Sequence, residues 1–108
     1  MSDAAQHFQE VARKARTEMA AGYAVIIDVR TIEEWKVGHI SGAIHHELSR
    51  IEEGDFPRIE KDRKIYVYCS AGGRASRGAQ IMRDNGWTDV TNMGGLGDWK
   101  SSGGTVEC

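Results

Sequence analysis

Cysteine is scarce in this chain: among 108 residues only Cys69 and Cys108 carry a thiol. A scaffold stapled by several disulfides is therefore excluded, and reduced thiols are the expectation. The single proline, Pro57, falls in a charged connecting stretch. No apolar run approaches the roughly 20 residues that a membrane helix needs. The first residues, MSDAAQHFQEVARKARTEM, include acidic side chains and lack the apolar core of a secretory leader. A soluble, cytoplasmic protein is expected. Neither charge sign dominates: 14 Lys plus Arg against 16 Asp plus Glu leave a net charge of -2. That balance gives no general attraction to nucleic acid or to an anionic membrane, so any anion must be held by a local site. His39, His45 and His46 lack cysteines or carboxylates at the short spacings of a zinc site. No metal and no cofactor are expected. With 40% hydrophobic residues, the chain is long enough for one core and too short for two, so residues 1–108 are read as one domain.

What is present alternates between strand and helix patterns. Ser2 or Asp3 is placed to cap a first helix over about residues 3–21, with Phe8, Val11, Ala12, Ala15 and Met19 at spacings of three and four. Ala24 to Val29 reads as a buried parallel strand ending at Asp28, Val29 and Arg30. Thr31 and Glu34 form a capping-box pattern for a short helix stopped by Gly38. A second such pattern, Ser49 and Glu52, suggests another short helix within a surface connection. Ile65 to Tyr68 reads as a strand, about Ala75 to Asn85 as a helix ending at Gly86, and Thr88 to Thr91 as a further strand. The polar tail SSGGTVEC is expected to be loosely held, with Cys108 fraying and His45 and His46 exposed. The fold class that follows is α/β: a central parallel sheet flanked by helices on both faces. In such sheets ligands gather at the carboxyl ends of strands, where Asp28, Arg30 and Cys69 are placed.

Cys69 opens the loop CSAGGR, in which Ser70, Ala71, Gly72 and Gly73 precede Arg74 and a helix. Small side chains let backbone amides point inward, and a loop of such amides running into a helix N-terminus binds anions. These surroundings turn a cysteine into a reactive thiolate, and the guanidinium of Arg74 is expected to add to the effect. The bland alternative is a buried structural cysteine at a strand end. Gly-Gly-Arg weighs against it, because a structural cysteine needs neither amides nor a guanidinium. For Asp28 and Arg30 the competing reading is an exposed ion pair of little energetic consequence, and for His39 and Trp35 it is packing support.

Three blocks carry a resemblance: IDVRTIEEWKVGHISGAI from Ile27 to Ile44, VYCSAGGRAS from Val67 to Ser76, and TNMGGLGDWK from Thr91 to Lys100. Together they resemble the rhodanese homology domain over about residues 24–101. The resemblance implies a single-domain rhodanese-like sulfurtransferase, with Cys69 in the nucleophile position and the loop Ser70, Ala71, Gly72, Gly73 and Arg74 around the substrate. It implies transfer of sulfane sulfur from a donor such as thiosulfate, through a Cys69 persulfide, to cyanide or a thiol acceptor. Asp28, Arg30 and His39 match family positions that support the site. Ala75 stands where many members have serine, and HHEL at His45 to Leu48 replaces a segment that more often holds proline.

Two other functions compete. Phosphatases and arsenate reductases also use a cysteine loop ending in arginine, but those loops hold one residue more than the four from Ser70 to Gly73, and no acidic residue follows Cys69 closely enough to serve as a leaving-group acid. The shorter ring suits a sulfur atom better than a phosphate. The second is a relay or partner-binding module that accepts sulfur from a protein persulfide; the intact Cys69 is compatible with it.

Overall fold

The computed structural model describes residues 3–108. Of the two caps expected for the first helix, Ser2 lies outside the described residues, and Asp3 is the first residue of α1, Asp3–Ala20. The strands β1, Ala24–Asp28, and β4, Lys64–Cys69, lie side by side and parallel, Asp28 paired with Tyr68. The edges are β3, Ile44–His45, beyond β1, and β5, Val90–Gly95, beyond β4, giving the order β3-β1-β4-β5 with every pairing parallel.

Alternation along the strands decides which helix meets which face. Ile27, Val29, Ile65, Val67 and Cys69 point to one side, where they bury Ile51 of α3, Leu48–Glu52, and Ala75, Ala79 and Met82 of α4, Gly73–Asp84. Ala24, Ile26, Tyr66 and Tyr68 point to the other, against Ala12 and Ala15 of α1 and Trp99 of α5, Leu96–Ser101. A sheet covered on both faces has near-continuous apolar strands, as AVIID and IYVYC are. No helix of the described residues is long and apolar enough to cross a membrane.

Several local expectations need correction. The helix expected to start at Ser49 begins at Leu48 with Glu47 at its cap position and no side-chain cap bond. Its entry is fixed by the Leu48 N–H donating to the Val29 carbonyl (3.0 Å), which outweighs a local Ser-x-x-Glu signal. The last parallel strand runs from Val90 to Gly95 rather than from Thr88 to Thr91. A register shift opposite Val67 and Tyr68 lets Asn92 and the two glycines continue the strand up to the level of Cys69. The tail is not loose: β6, Val106–Glu107, pairs antiparallel with β2, His39–Ile40. The Trp99 indole N–H donates to the Thr105 carbonyl (2.8 Å), and the chain passes so close to that ring that a Cβ at Gly104 would lie 2.1 Å from it. Cys108 is anchored as well, its Sγ donating to the Val37 carbonyl (3.3 Å).

Candidate functional site

The carboxyl ends of β1 and β4 are adjacent, so the topology brings Asp28 and Cys69 to the same rim. Cys69 closes β4 with 1% exposure. Its sulfur accepts the Gly72 N–H at 3.0 Å and the Ala75 N–H at 3.4 Å. The first turn of α4 has amides with no partner inside the helix, and no side chain caps them. One of them is thus turned onto sulfur, at the end of the helix where the macrodipole favours negative charge. Ala75 contributes through its backbone. The amides of Ser70, Ala71, Gly73 and Arg74 do not bond the sulfur, so the cradle rests on two donors and is narrower than the sequence implied.

Glycine is required at one point of this loop and at one point of the strand beside it. Gly72 has φ +102°, a left-handed conformation that side chains rarely adopt. Gly95 has an ordinary extended backbone, φ -117°, yet a Cβ there would lie 2.1 Å from the Ser70 carbonyl oxygen. The end of β5 is therefore the wall against which the loop is pressed. Asn92 fastens the two: its Nδ2 donates to the Gly72 carbonyl (3.0 Å) while its Oδ1 accepts the Gly94 N–H (2.8 Å).

Arg74 does not face the sulfur as an open cation. Its guanidinium donates to both carboxylate oxygens of Glu34, at 2.7 and 2.9 Å, and to the Ser70 hydroxyl at 3.1 Å. Glu34 also accepts the Ser70 hydroxyl (2.9 Å) and the backbone N–H of Thr31 (3.1 Å). The capping box of α2, Ile32–Val37, is thus present as read from the sequence. The same glutamate, however, reaches 40 residues along the chain to hold the loop. These contacts, that to Arg74 foremost, keep the Glu34 carboxyl well below the usual carboxylate range. The Arg74 pKa is raised in turn, first by its bond to Glu34. Sequence reasoning missed the second role of Glu34. Its only local signal was an acidic residue on the short helix that follows the strand beside β4.

Asp28 and Arg30 form a buried network rather than a surface pair, at 0% and 5% exposure. Asp28 Oδ2 accepts from Arg30 Nη2 (2.8 Å) and from the Tyr68 hydroxyl (2.6 Å), while Arg30 Nη2 also donates to the Gly38 carbonyl (2.6 Å). The Tyr68 oxygen accepts the Ile40 N–H (3.1 Å). Burial, then the bond to Asp28, pushes the Tyr68 phenol above the ordinary tyrosine range, so it stays a donor. The network ties the rim of the sheet to β2. His39 stacks on Trp35 with ring centroids 3.4 Å apart and planes 2° from parallel, and its Nδ1 donates to the Trp35 carbonyl (2.8 Å). Contrary to expectation, His46 is buried, its Nε2 donating to the Asp55 carbonyl (2.6 Å), and His45 is half-buried, its Nε2 on the Arg30 carbonyl (2.7 Å). Both cysteines are free, and among the described residues no three His, Cys, Asp or Glu side chains group to hold a metal.

The model of the Rhodanese-like domain family matches residues 11–102. This chain belongs to the rhodanese-like family. The match begins within α1, so the family region is longer than the residues 24–101 that the three blocks delimit. The chain is 38% identical over 92 residues to YqhL of Bacillus subtilis (strain 168), covering 83% of this chain and 71% of YqhL. It is 36% identical over 73 residues to the thiosulfate sulfurtransferase PspE of Escherichia coli (strain K12), covering 67% of this chain and 70% of PspE. The crystal structure of the Alr3790 protein from Anabaena sp. superposes with a TM-score of 0.79 at 30% identity, over 89% of this chain and 77% of that one. The rhodanese-like fold is thereby established, with its central parallel sheet and helices on both faces.

Proposed function

We propose that this rhodanese-like chain is a sulfurtransferase that moves sulfane sulfur through a persulfide on Cys69. The observation that carries the reading is the pair of amide donors on the Cys69 sulfur, from Gly72 at 3.0 Å and Ala75 at 3.4 Å. Fixed donors of this kind stabilise a thiolate and, after reaction, the charge of a persulfide, without reorganising during the reaction. In the first half-reaction the thiolate attacks the outer sulfur of thiosulfate. A sulfur–sulfur bond forms at Cys69, that of the donor breaks, and sulfite leaves with the bonding pair. In the second, cyanide or a thiolate attacks the outer persulfide sulfur, leaving as thiocyanate or a new persulfide and restoring the Cys69 thiolate. Charge balances in both steps and no redox partner is needed.

Gly72 and Ala75 act by hydrogen bonding, Ser70, Ala71 and Gly73 shape the loop around the incoming sulfur, and Arg74 braces it. Asp28, Arg30 and His39 hold the rim in place. A protein persulfide serves the first step by the same chemistry. Phosphate transfer is disfavoured by the loop, one residue shorter between Cys69 and Arg74 than a phosphatase loop, and by Glu34, whose carboxylate offsets the charge that Arg74 could offer a phosphoryl group. The test is turnover: thiosulfate plus cyanide should yield thiocyanate, abolished by Cys69→Ser. Hydrolysis of a small aryl phosphate faster than thiocyanate formation would reverse the assignment.

A further inference from the structure

Both guanidinium groups at the rim are matched by a carboxylate: Arg30 by Asp28 and Arg74 by both oxygens of Glu34. The two arginines thus bring little net charge to the rim, and the Cys69 sulfur is met by dipoles, from the two amides and the start of α4. Asp28 and Arg30 are buried, so their balance is fixed by the core. The Glu34 and Arg74 side chains are 32% and 37% exposed, on the solvent side of the loop that follows Cys69. Both side chains meet the hydroxyl of Ser70, the residue next to Cys69: Arg74 Nη2 donates to it at 3.1 Å and Glu34 Oε2 accepts from it at 2.9 Å. A negative donor bound at the sulfur thus lies within reach of the charge that Glu34 carries.

We infer that Glu34 is a specificity-determining residue that cancels Arg74 and sets the charge of the preferred sulfur donor, favouring singly over doubly charged sulfane sulfur. This rests on the sulfurtransferase reading of Cys69. Dipoles bind one negative charge well, but a dianion such as thiosulfate carries a second charge that only an open cation would reward. Monoanionic donors, a thiosulfonate or the persulfide of a thiol, present the same sulfane atom without that second charge.

The experiment compares two donors, thiosulfate and methanethiosulfonate, which transfers its sulfur and releases methanesulfinate. The readout is the ratio of their kcat/KM values, so any shared loss of folding or loop geometry cancels. Glu34→Gln keeps the residue type that a capping box accepts and frees the guanidinium. The ratio of thiosulfate to methanethiosulfonate should rise about five-fold in Glu34→Gln, the effect of one unit charge at contact distance in water. It should return toward the original value in Glu34→Gln with Arg74→Gln. A second readout uses the unaltered protein: its ratio should stay flat as salt rises, whereas that of Glu34→Gln should fall as Arg74 is screened. An unchanged ratio in Glu34→Gln, or a ratio in the unaltered protein that falls steeply with salt, would overturn the inference while leaving sulfur transfer intact. Failure of Cys69 to load from these two donors and from a persulfide donor would instead overturn the sulfurtransferase reading, and this inference with it.

Discussion

Replacing Gly95 with alanine isolates the contact between the loop and the end of β5. The backbone there, φ -117° and ψ 167°, suits any residue, so the substitution carries no conformational penalty and by itself gains about 0.4–1 kcal/mol through the unfolded chain. Against that, the new Cβ would lie 2.1 Å from Ser70 O, 2.7 Å from Ser70 C and 3.2 Å from Ala71 N. All three are backbone atoms, and none moves by rotating a side chain. Restoring ordinary contact requires the loop to shift by about 1 Å, and strain of that kind costs about 1–3 kcal/mol. The net loss of stability should be about 1 kcal/mol, measured by urea unfolding. Function should suffer more, because a shift of about 1 Å in a positioned group lowers rates by up to about 100-fold, and the loop includes the Gly72 amide that bonds the sulfur. Loading of Cys69 from thiosulfate should therefore slow by about 10- to 100-fold. Gly97→Ala, with no atom within 4 Å of its new Cβ, is the control and should gain up to about 1 kcal/mol as a helix substitution. A Gly95→Ala protein that loads sulfur at the unaltered rate would refute the wedge.

Other consequences follow from the same contacts. Tyr68→Phe removes a donor from fully buried Asp28 and leaves the Ile40 N–H without its acceptor; unfolding should show a loss of about 1–3 kcal/mol. Truncation after Ser102 removes the Thr105 acceptor of Trp99 and Ser41 together with the β2–β6 pairing. It should cost at least about 2 kcal/mol, visible as a lower Tm and altered tryptophan fluorescence, and an unchanged Tm would mean that the tail contributes nothing. For acid, the sign is set by Glu34, whose folded pKa is depressed. Its contribution is complete above its unfolded pKa and is lost as pH falls through the folded value. Stability of the unaltered protein should therefore drop more steeply than that of Glu34→Gln as pH falls below about 4. The difference should stay under about 1 kcal/mol, because the pair is one-third exposed.

Those parts of the molecule governed by local pattern were legible in the sequence. The strand pair ending at Asp28 and Cys69, the Thr31–Glu34 capping box and the helix after the loop all follow from periodicity, caps and glycines within a few residues. The parts that were not legible depend on distant partners. Glu34 meets Arg74 from 40 residues away and Tyr68 meets Asp28 across the same separation, so neither pairing leaves a local trace. The strands β2, β3 and β6 have two residues each, too few for an alternation to register, and a polar sequence such as TVEC reads as a free end until its partner strand is known. At the site, the sequence placed Cys69 in a ring of small residues. The structure narrows the direct donors to two amides and pairs the neighbouring arginine with a carboxylate.

Whether Cys69 carries sulfur is decided by the mass of the protein after incubation with thiosulfate and removal of excess donor. The Cys69 peptide should gain one sulfur atom, lose it on addition of cyanide, and show no gain in Cys69→Ser. No gain on Cys69 from thiosulfate, methanethiosulfonate or a persulfide donor would show that Cys69 is not a sulfur carrier.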